Sequence, residues 1–193
     1  KQGEKVQIID EEILFEIPET WEWCRLSELG IYKKGPFGSS LTKSMFKPKS
    51  DSTVKVYEQK NAIQKNHILG DYYIDKDYYK SKMKGFKVDP GDIIVSCAGT
   101  IGETYVMPNN IEEGIINQAL MKITLFSPIN YAYFLLYFDY VIKKTAIKNS
   151  KGSAIKNIPP FGILKRILIP IPPLNEQIKI IKKLNSLLNI IQD

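Results

Sequence analysis

Two adjacent prolines, Pro172 and Pro173, constrain this chain more than any other feature. They end the β-branched apolar run Ile167-Leu-Ile-Pro-Ile171, and neither supplies the amide hydrogen that a strand or a helix interior needs. The segment after them is amphipathic. Ile178, Ile181, Leu184, Leu188 and Ile191 recur on one stripe, Ile180, Leu187 and Ile190 widen it, and Lys179, Lys182, Lys183 and Asn189 lie mostly elsewhere. The spacing 181, 184, 188, 191 is a heptad seam, so this stripe is the candidate subunit interface. The sequence predicts Asn175 as N-cap and Glu176 in the first turn, where the helix dipole favours a carboxylate. A helix of about nineteen residues would reach roughly 28 Å at 1.5 Å per residue. It can fold back onto its own domain or pair with a second helix, and periodicity alone does not choose.

With 193 residues the chain can bury one ordinary core, so one domain with appendages is expected. Residues 1–30 hold three basic residues against eight acids, which leaves +11 on residues 31–193 although the whole chain carries only +6. The folded part is therefore the basic part, as expected of a nucleic-acid binder, where each neutralised phosphate releases counterions. Of 27 basic residues only Arg25 and Arg166 are arginine, so bidentate arginine readout of guanine is not the main device. Cys24 and Cys97 are too few for a disulfide framework, and the single histidine, His67, removes most metal sites and most Ser-His or Cys-His chemistry. No metal and no cofactor are expected. No apolar run approaches the ~18 residues of a membrane span and no signal-peptide pattern opens the chain, so a cytoplasmic location is expected.

In chain order, residues 1–16 are polar and mostly acidic and read as a linker or leader; without an initiator Met, they point to a processed or excised chain. Trp21 and Trp23 are expected to anchor the start of the domain. From Lys33 to Lys49 five lysines and no acid surround Gly35-Pro-Phe-Gly-Ser-Ser40, which predicts a loop facing DNA with Lys33, Lys34, Gly38, Ser39, Ser40 and Lys43 on phosphates. No Gly-Lys-Ser/Thr comes after it, so it is not a phosphate-binding loop. Val54 to Ile63 alternates enough for a strand that ends in the polar cluster Gln59, Lys60 and Asn61, candidate DNA contacts in which the two carboxamides either satisfy backbone groups or read adenine. Tyrosines and lysines interleave over residues 72–87, either as a surface tracking a nucleic-acid backbone or as a strand and helix covering a sheet. Residues 88–108 predict a turn, a strand, a glycine-bearing turn and a second strand. Ile115 to Thr124 predicts a further strand bearing Asn117 and Gln118, whose carboxamides either satisfy backbone groups or read adenine. Ser127-Pro128 predicts the start of a helix to about Lys144, with Tyr131, Phe134, Leu135, Phe138, Val141 and Ile142 on its core face. Residues 143–156 then form a basic loop with Lys148, Lys151, Ser153 and Lys156 as further DNA contacts.

Ile169-Pro-Ile-Pro-Pro-Leu-Asn-Glu-Gln-Ile-Lys-Ile-Ile181, with Ile17-Pro-Glu-Thr-Trp-Glu-Trp23, Gly91-Asp-Ile-Ile-Val-Ser96, Gly99-Thr-Ile-Gly102 and Gly152-Ser followed by Ile155-Lys-Asn-Ile158, resembles a target recognition domain of the specificity subunits of type I restriction-modification enzymes. The resemblance covers nearly the whole chain. It implies an α/β (α+β) fold with a twisted mixed or antiparallel sheet, flanking helices and a long C-terminal helix of the coiled-coil type. The implied division is 1–16 leader, 17–172 recognition domain and 173–193 spacer or assembly helix. It further implies sequence-specific double-stranded DNA binding for half of a bipartite site. The implied partners are modification (methyltransferase) subunits, through them the restriction subunit, and a second recognition domain or second copy met through the helix. In that family a complete subunit has two such domains, so an excised second domain or a natural half-subunit is expected.

Asn157-Ile-Pro-Pro-Phe161 resembles the Asn-Pro-Pro-Tyr/Phe motif of amino-methyltransferases, but an isoleucine separates the amide from Pro159. No glycine-rich strand-to-helix turn for S-adenosylmethionine accompanies it. A non-catalytic chain is therefore expected. The competing readings are a recognition segment of a fused type II restriction-methyltransferase and a protein-interaction domain that does not meet DNA.

Overall fold

A computed structural model describes the main chain of residues 12–13, 15–149, 158 and 160–192; the side chains of residues 143–149, 161 and 190–192 fall outside the described set. The elements are β1 (Glu22–Arg25), α1 (Leu26–Leu29), β2 (Gly30–Lys34), β3 (Thr53–Tyr57), α2 (Gln59–Ile63), β4 (Tyr73–Asp75) and α3 (Lys76–Tyr78). They continue with β5 (Lys87–Val88), β6 (Ile93–Ser96), β7 (Thr104–Val106), β8 (Gly114–Ile116), β9 (Leu120–Leu125), α4 (Tyr131–Asn149), α5 (Phe161–Arg166), β10 (Leu168–Ile171) and α6 (Leu174–Gln192). This is the mixed α/β architecture that the sequence predicts. The chain forms two compact units: residues 30–125 with 139–159, and residues 1–29 with 126–138 and 160–193.

The first of these units holds two four-stranded sheets, ordered β2-β9-β6-β7 and β4-β3-β8-β5. All pairs are antiparallel except β3 with β8. Ile93-Ile-Val-Ser96 is buried throughout, because a central strand covered on both faces reads as a continuous apolar run. Val54, Val56, Ile74, Tyr79, Met83 and Ile115 form one core cluster, and Tyr57, Ala62, Ile94, Met107, Ile116 and Leu120 another. The predicted hairpin is present as β6 and β7, with Ile93 opposite Val106 and Val95 opposite Thr104. Its turn passes Gly102 at φ +81°, and a Cβ there would lie 2.9 Å from Ile142 Cγ2. Over residues 72–87 the tyrosines divide: Tyr73 and Tyr79 are buried, Tyr78 is half-buried and Tyr72 is exposed, while Lys80, Lys82 and Lys84 are exposed.

Several predicted elements differ. The strand from Val54 stops at Tyr57, and residues 59–63 turn into α2, because the Asn61 Oδ1 accepts from the Glu58 amide at 2.7 Å and closes a helical turn. The strand predicted over residues 115–124 is two strands in two different sheets, β8 and β9. Asn117 Oδ1 accepts from the Ala119 amide at 3.0 Å and turns the chain between them. The long helix starts at Tyr131 rather than at Ser127-Pro128: Asn130 is the cap, its Oδ1 accepting from the Tyr133 amide at 3.1 Å. On that helix Tyr131 is exposed and Tyr133 is buried in its place, with its hydroxyl donating to the Pro170 carbonyl at 2.7 Å.

In the other unit β1 and β10 form an antiparallel ribbon, with Glu22 opposite Ile171 and Arg25 opposite Leu168. Leu26, Phe134, Phe138, Leu164 and Ile169 are fully buried in it. Trp23 meets Phe15 edge to face at 5.0 Å. Arg25 is buried and forks onto both carboxylate oxygens of Glu12, at 3.1 and 2.7 Å, while also donating to the Arg166 carbonyl at 2.9 Å. Helix α6 opens one residue before the predicted cap. The Pro173 carbonyl accepts from the Glu176 and Gln177 amides at 2.8 and 3.1 Å, so Asn175 lies inside the first turn and Pro173 holds the capping position. Gln177 is buried, accepts from the Asn130 amide at 2.8 Å and donates to the Pro172 carbonyl at 2.9 Å, which ties the starts of α4 and α6 together.

Candidate nucleic-acid interface

Strand direction gathers five of the sequence-predicted residues at one end of the two-sheet unit. Because β3 and β8 run parallel, they finish side by side, Tyr57 opposite Ile116, and the Asn117 amide donates to the Tyr57 carbonyl at 3.0 Å. The chain then crosses to β9, whose start faces the ends of its two antiparallel neighbours, Lys34 opposite Met121 and Ser96 opposite Leu120. Main-chain bonds continue past the strands: Gly35 N–H to Leu120 O and Cys97 N–H to Ala119 O, both 2.9 Å. Gly35 presses so closely on this crossover that a Cβ would lie 1.8 Å from the Asn117 carbonyl oxygen, so only glycine fits. The Gln59 side chain donates to the Ala98 carbonyl. Lys33, Lys34, Gln59, Asn117 and Gln118 thus share one strand-end region. The Ile158 amide donates to the Cys97 carbonyl at 3.1 Å, which brings the chain leaving the basic segment to the same place.

Their environments differ. Lys33 and Lys34 are exposed on the end of β2, which is strand where the sequence predicts a loop, and the Lys33 ammonium lies 4.8 Å from the Phe86 ring centroid. Gln118 is exposed and Asn117 half-buried, the latter spending its Oδ1 on the crossover. Gly38 and Ser39 are exposed in a short turn after β2, Ser40 is half-buried with its carbonyl accepting from the Tyr78 hydroxyl at 2.8 Å, and Lys43 is exposed. Neither Lys34 nor Lys43 pairs with a carboxylate among the described residues. Lys60 pairs with Glu58 at 2.9 Å and lies 5.7 Å from the Tyr72 ring. Asn61 is fully buried; its Nδ2 donates to the Asn66 and Leu69 carbonyls, both at 2.8 Å, so its carboxamide is committed to the fold. Burial pushes the Cys97 thiol up to about 12, with the Lys34 charge acting the other way, so the thiol stays protonated and inert. The side chains of Lys148, Lys151, Ser153 and Lys156 lie outside the described residues.

On helix α6 Ile178, Ile181 and Leu184 are half-buried and Leu188 is exposed; the side chain of Ile191 lies outside the described residues. Leu174 and Leu187 are exposed too.

Sequence reasoning missed a buried lysine. Lys55 sits on β3 at 1% exposure, donates to the Ile68 and Gly70 carbonyls at 2.8 and 3.4 Å, and lies 3.8 Å from Glu112. Burial holds its pKa below the ordinary lysine value, with Glu112 opposing. Glu112 also pairs with Lys49 at 2.6 Å and accepts from the Tyr73 hydroxyl. Alternation assigns Lys55 to solvent; the signal for the loop that receives it is the turn-rich Asn66-His-Ile-Leu-Gly70. Among the described residues no group of three His, Cys, Asp or Glu side chains could hold a metal ion, and no helix is long and apolar enough to cross a membrane.

The chain resembles two solved structures in fold. One is a chain from a structure concerning complex assembly and conformational transition of the type I R-M system, 18% identical with a TM-score of 0.64. The other is the HsdS subunit from Thermoanaerobacter tengcongensis, 19% identical with a TM-score of 0.65. Each match covers 92% of this chain and 40% of the solved chain, so the present chain spans about two fifths of their length. No match was found among curated proteins. The family model described as type I restriction modification DNA specificity domain matches residues 18–193. A match over residues 18–193, on a fold shared with the HsdS subunit, means that the chain belongs to the type I restriction modification DNA specificity domain family.

Proposed function

We propose that the chain binds double-stranded DNA sequence-specifically and supplies target recognition for half of a bipartite site to a type I restriction-modification enzyme. The observation that carries this reading, beside the family match, is the strand-end region where exposed Lys33, Lys34 and Gln118 meet around a crossover braced by main-chain bonds. Lysines there supply a sequence-independent hold on phosphates, and a carboxamide supplies the paired donor and acceptor that match adenine in the major groove. The loop Gly38 to Lys43 extends the phosphate-holding surface, and Lys148, Lys151, Ser153 and Lys156 are proposed to do the same. Asn117 acts through its main chain and its turn, placing Gln118; Gln59 braces the neighbouring Ala98 loop. Asn61 is assigned a structural role.

Methylation and cleavage belong, in this reading, to modification and restriction subunits in the same complex, and this chain contributes no catalytic group. Its one histidine bonds the Tyr105 hydroxyl at 3.1 Å. The half-covered stripe of α6, Ile178 to Leu188, is the proposed assembly surface for a second recognition domain, a second copy or a modification subunit. We place 173–193 as the spacer, 17–172 as the recognition domain and 1–16 as the leader, and locate the complex with DNA in the cytoplasm. The test is selection of a bound duplex from a random-sequence pool by the full chain, followed by titration of the selected and a scrambled duplex over a range of salt. A salt-dependent preference for the selected duplex is expected; equal binding to both, or none to either, overturns the reading.

A further inference from the structure

Phe37 stands at 87% exposure on a segment that is fixed on both sides. Before it, Gly35 is wedged against the Asn117 carbonyl and hydrogen-bonded to Leu120, and Pro36 is buried. After it, the Ser40 amide returns to the Phe37 carbonyl at 2.8 Å, the Tyr78 hydroxyl holds the Ser40 carbonyl at 2.8 Å, and Leu41 is buried in the core. The backbone at Phe37 itself is extended, φ −62° and ψ 147°, so the ring is carried outward at the start of a tight turn. A phenyl ring has two side-chain torsions, and a pinned main chain leaves little further freedom to lose on contact. A lone exposed apolar residue is ordinary. This one differs in its setting: Lys33, Lys34 and Lys43, all within six residues of it in sequence, are exposed, and no acid occurs between Glu28 and Asp51. Such a surface is complementary in charge to a polyanion, which under the function proposed above is DNA.

We infer that Phe37 is a specificity-determining residue that packs against the C5 methyl group of a thymine in the major groove. The inference rests on the DNA-reading function proposed above and adds a second reading group of a different chemistry. Its support is the shared footing of the two groups: Phe37 is two residues from Gly35, and Gly35 leans on the peptide that links Asn117 to exposed Gln118. Where a carboxamide reads adenine, the thymine of an A·T pair presents its methyl group in the same groove, and Phe is among the side chains that contact it. A methyl group packed on a ring is worth about fourfold in affinity.

The experiment replaces thymidine by deoxyuridine, one position at a time, in the duplex selected by the full chain, and titrates each duplex with wild type, Phe37→Ala, Phe37→Leu and Ile68→Ala. Ile68 is a comparably bare side chain, 70% exposed, on another loop of the same unit. One uracil position should weaken wild type and Ile68→Ala about fourfold, leave Phe37→Ala unchanged beyond its own loss, and weaken Phe37→Leu by an intermediate factor. Identical uracil profiles for wild type and Phe37→Ala overturn the contact. So does a flat profile in wild type; if Lys34→Ala still flattens the salt dependence, the apolar contact fails while DNA binding stands. Absence of any salt-dependent duplex binding overturns both.

Discussion

The indole N–H of Trp21 donates to a carboxylate oxygen of Glu176 at 2.7 Å, joining residues 155 positions apart in sequence at the first turn of α6. A carboxylate at a helix start is favoured by the dipole, and the indole holds it there. Trp21→Phe keeps an aromatic ring, smaller than the indole, and removes the donor. It should lower stability by about 1 kcal/mol, read as a smaller urea midpoint at unchanged slope, with Glu176→Gln losing less.

Asn61 and Gln118 should separate folding from reading. Asn61→Ala strips the Asn66 and Leu69 carbonyls of their donor and empties a buried site. A loss of stability on the order of 3 kcal/mol is expected, with the remaining folded protein keeping its ratio of selected to scrambled DNA binding. Gln118→Ala should leave the melting temperature unchanged and weaken binding by about 1–3 kcal/mol on the selected duplex only. Thermal melts and paired titrations check both; loss on both duplexes alike removes Gln118 from base reading.

Much of the fold was legible because it rests on local rules. The β6–β7 hairpin announces itself through an apolar run, a glycine turn and a second β-branched run, and α6 through two prolines and a 3.6-residue stripe. The features that escaped were tertiary. Lys55 looks outward by alternation, yet the carbonyls of Ile68 and Gly70 receive it inside. Asn117 reads as a strand residue until its side chain is seen bonding the Ala119 amide, which turns one predicted strand into two strands of separate sheets. Of the candidate site, the lysines and Gln118 were accessible to composition. The inward commitment of Asn61 was not, since buried and reading carboxamides have the same sequence.

Lys34 and Lys43 are exposed and meet no carboxylate among the described residues, so each is available to a phosphate. Alanine at either should weaken binding to selected and scrambled duplexes equally and reduce the slope of log affinity against log salt by roughly one unit. An unchanged slope for either removes that residue from the phosphate surface.

Glu112 links stability to acidity. Burial raises its pKa, but the hydrogen bond from Lys49 and the charge of Lys55 outweigh this, and the carboxyl is held below its ordinary value of 4.5. A depressed carboxyl contributes stability that is present above the unfolded value and lost as pH falls through the folded one. Relative to Glu112→Gln, wild type should keep a constant advantage near neutrality that shrinks as pH is lowered below about 4.5. Thermal melts of both proteins between neutral and acid pH check this; a gap that stays constant contradicts the pairing.

Helix α6 yields a prediction on mass. Charges placed along its seam by Ile181→Asp, Leu184→Asp and Leu188→Asp should abolish pairing of two copies through this helix. Light scattering of a proven dimer and its triple variant decides it, and an undiminished mass means that the copies meet elsewhere.

The crossover between the two sheets has a consequence for divergence. Its shape is held by the main chain of residues 117 and 119, by the Asn117 side chain and by the bare Cα of Gly35, while the side chain of Gln118 points into solvent and closes no turn. Position 118 is therefore free to drift through the amino-acid alphabet while both ladders stay in register. Under the proposed function, related chains could acquire new target sequences at this one place without refolding anything around it.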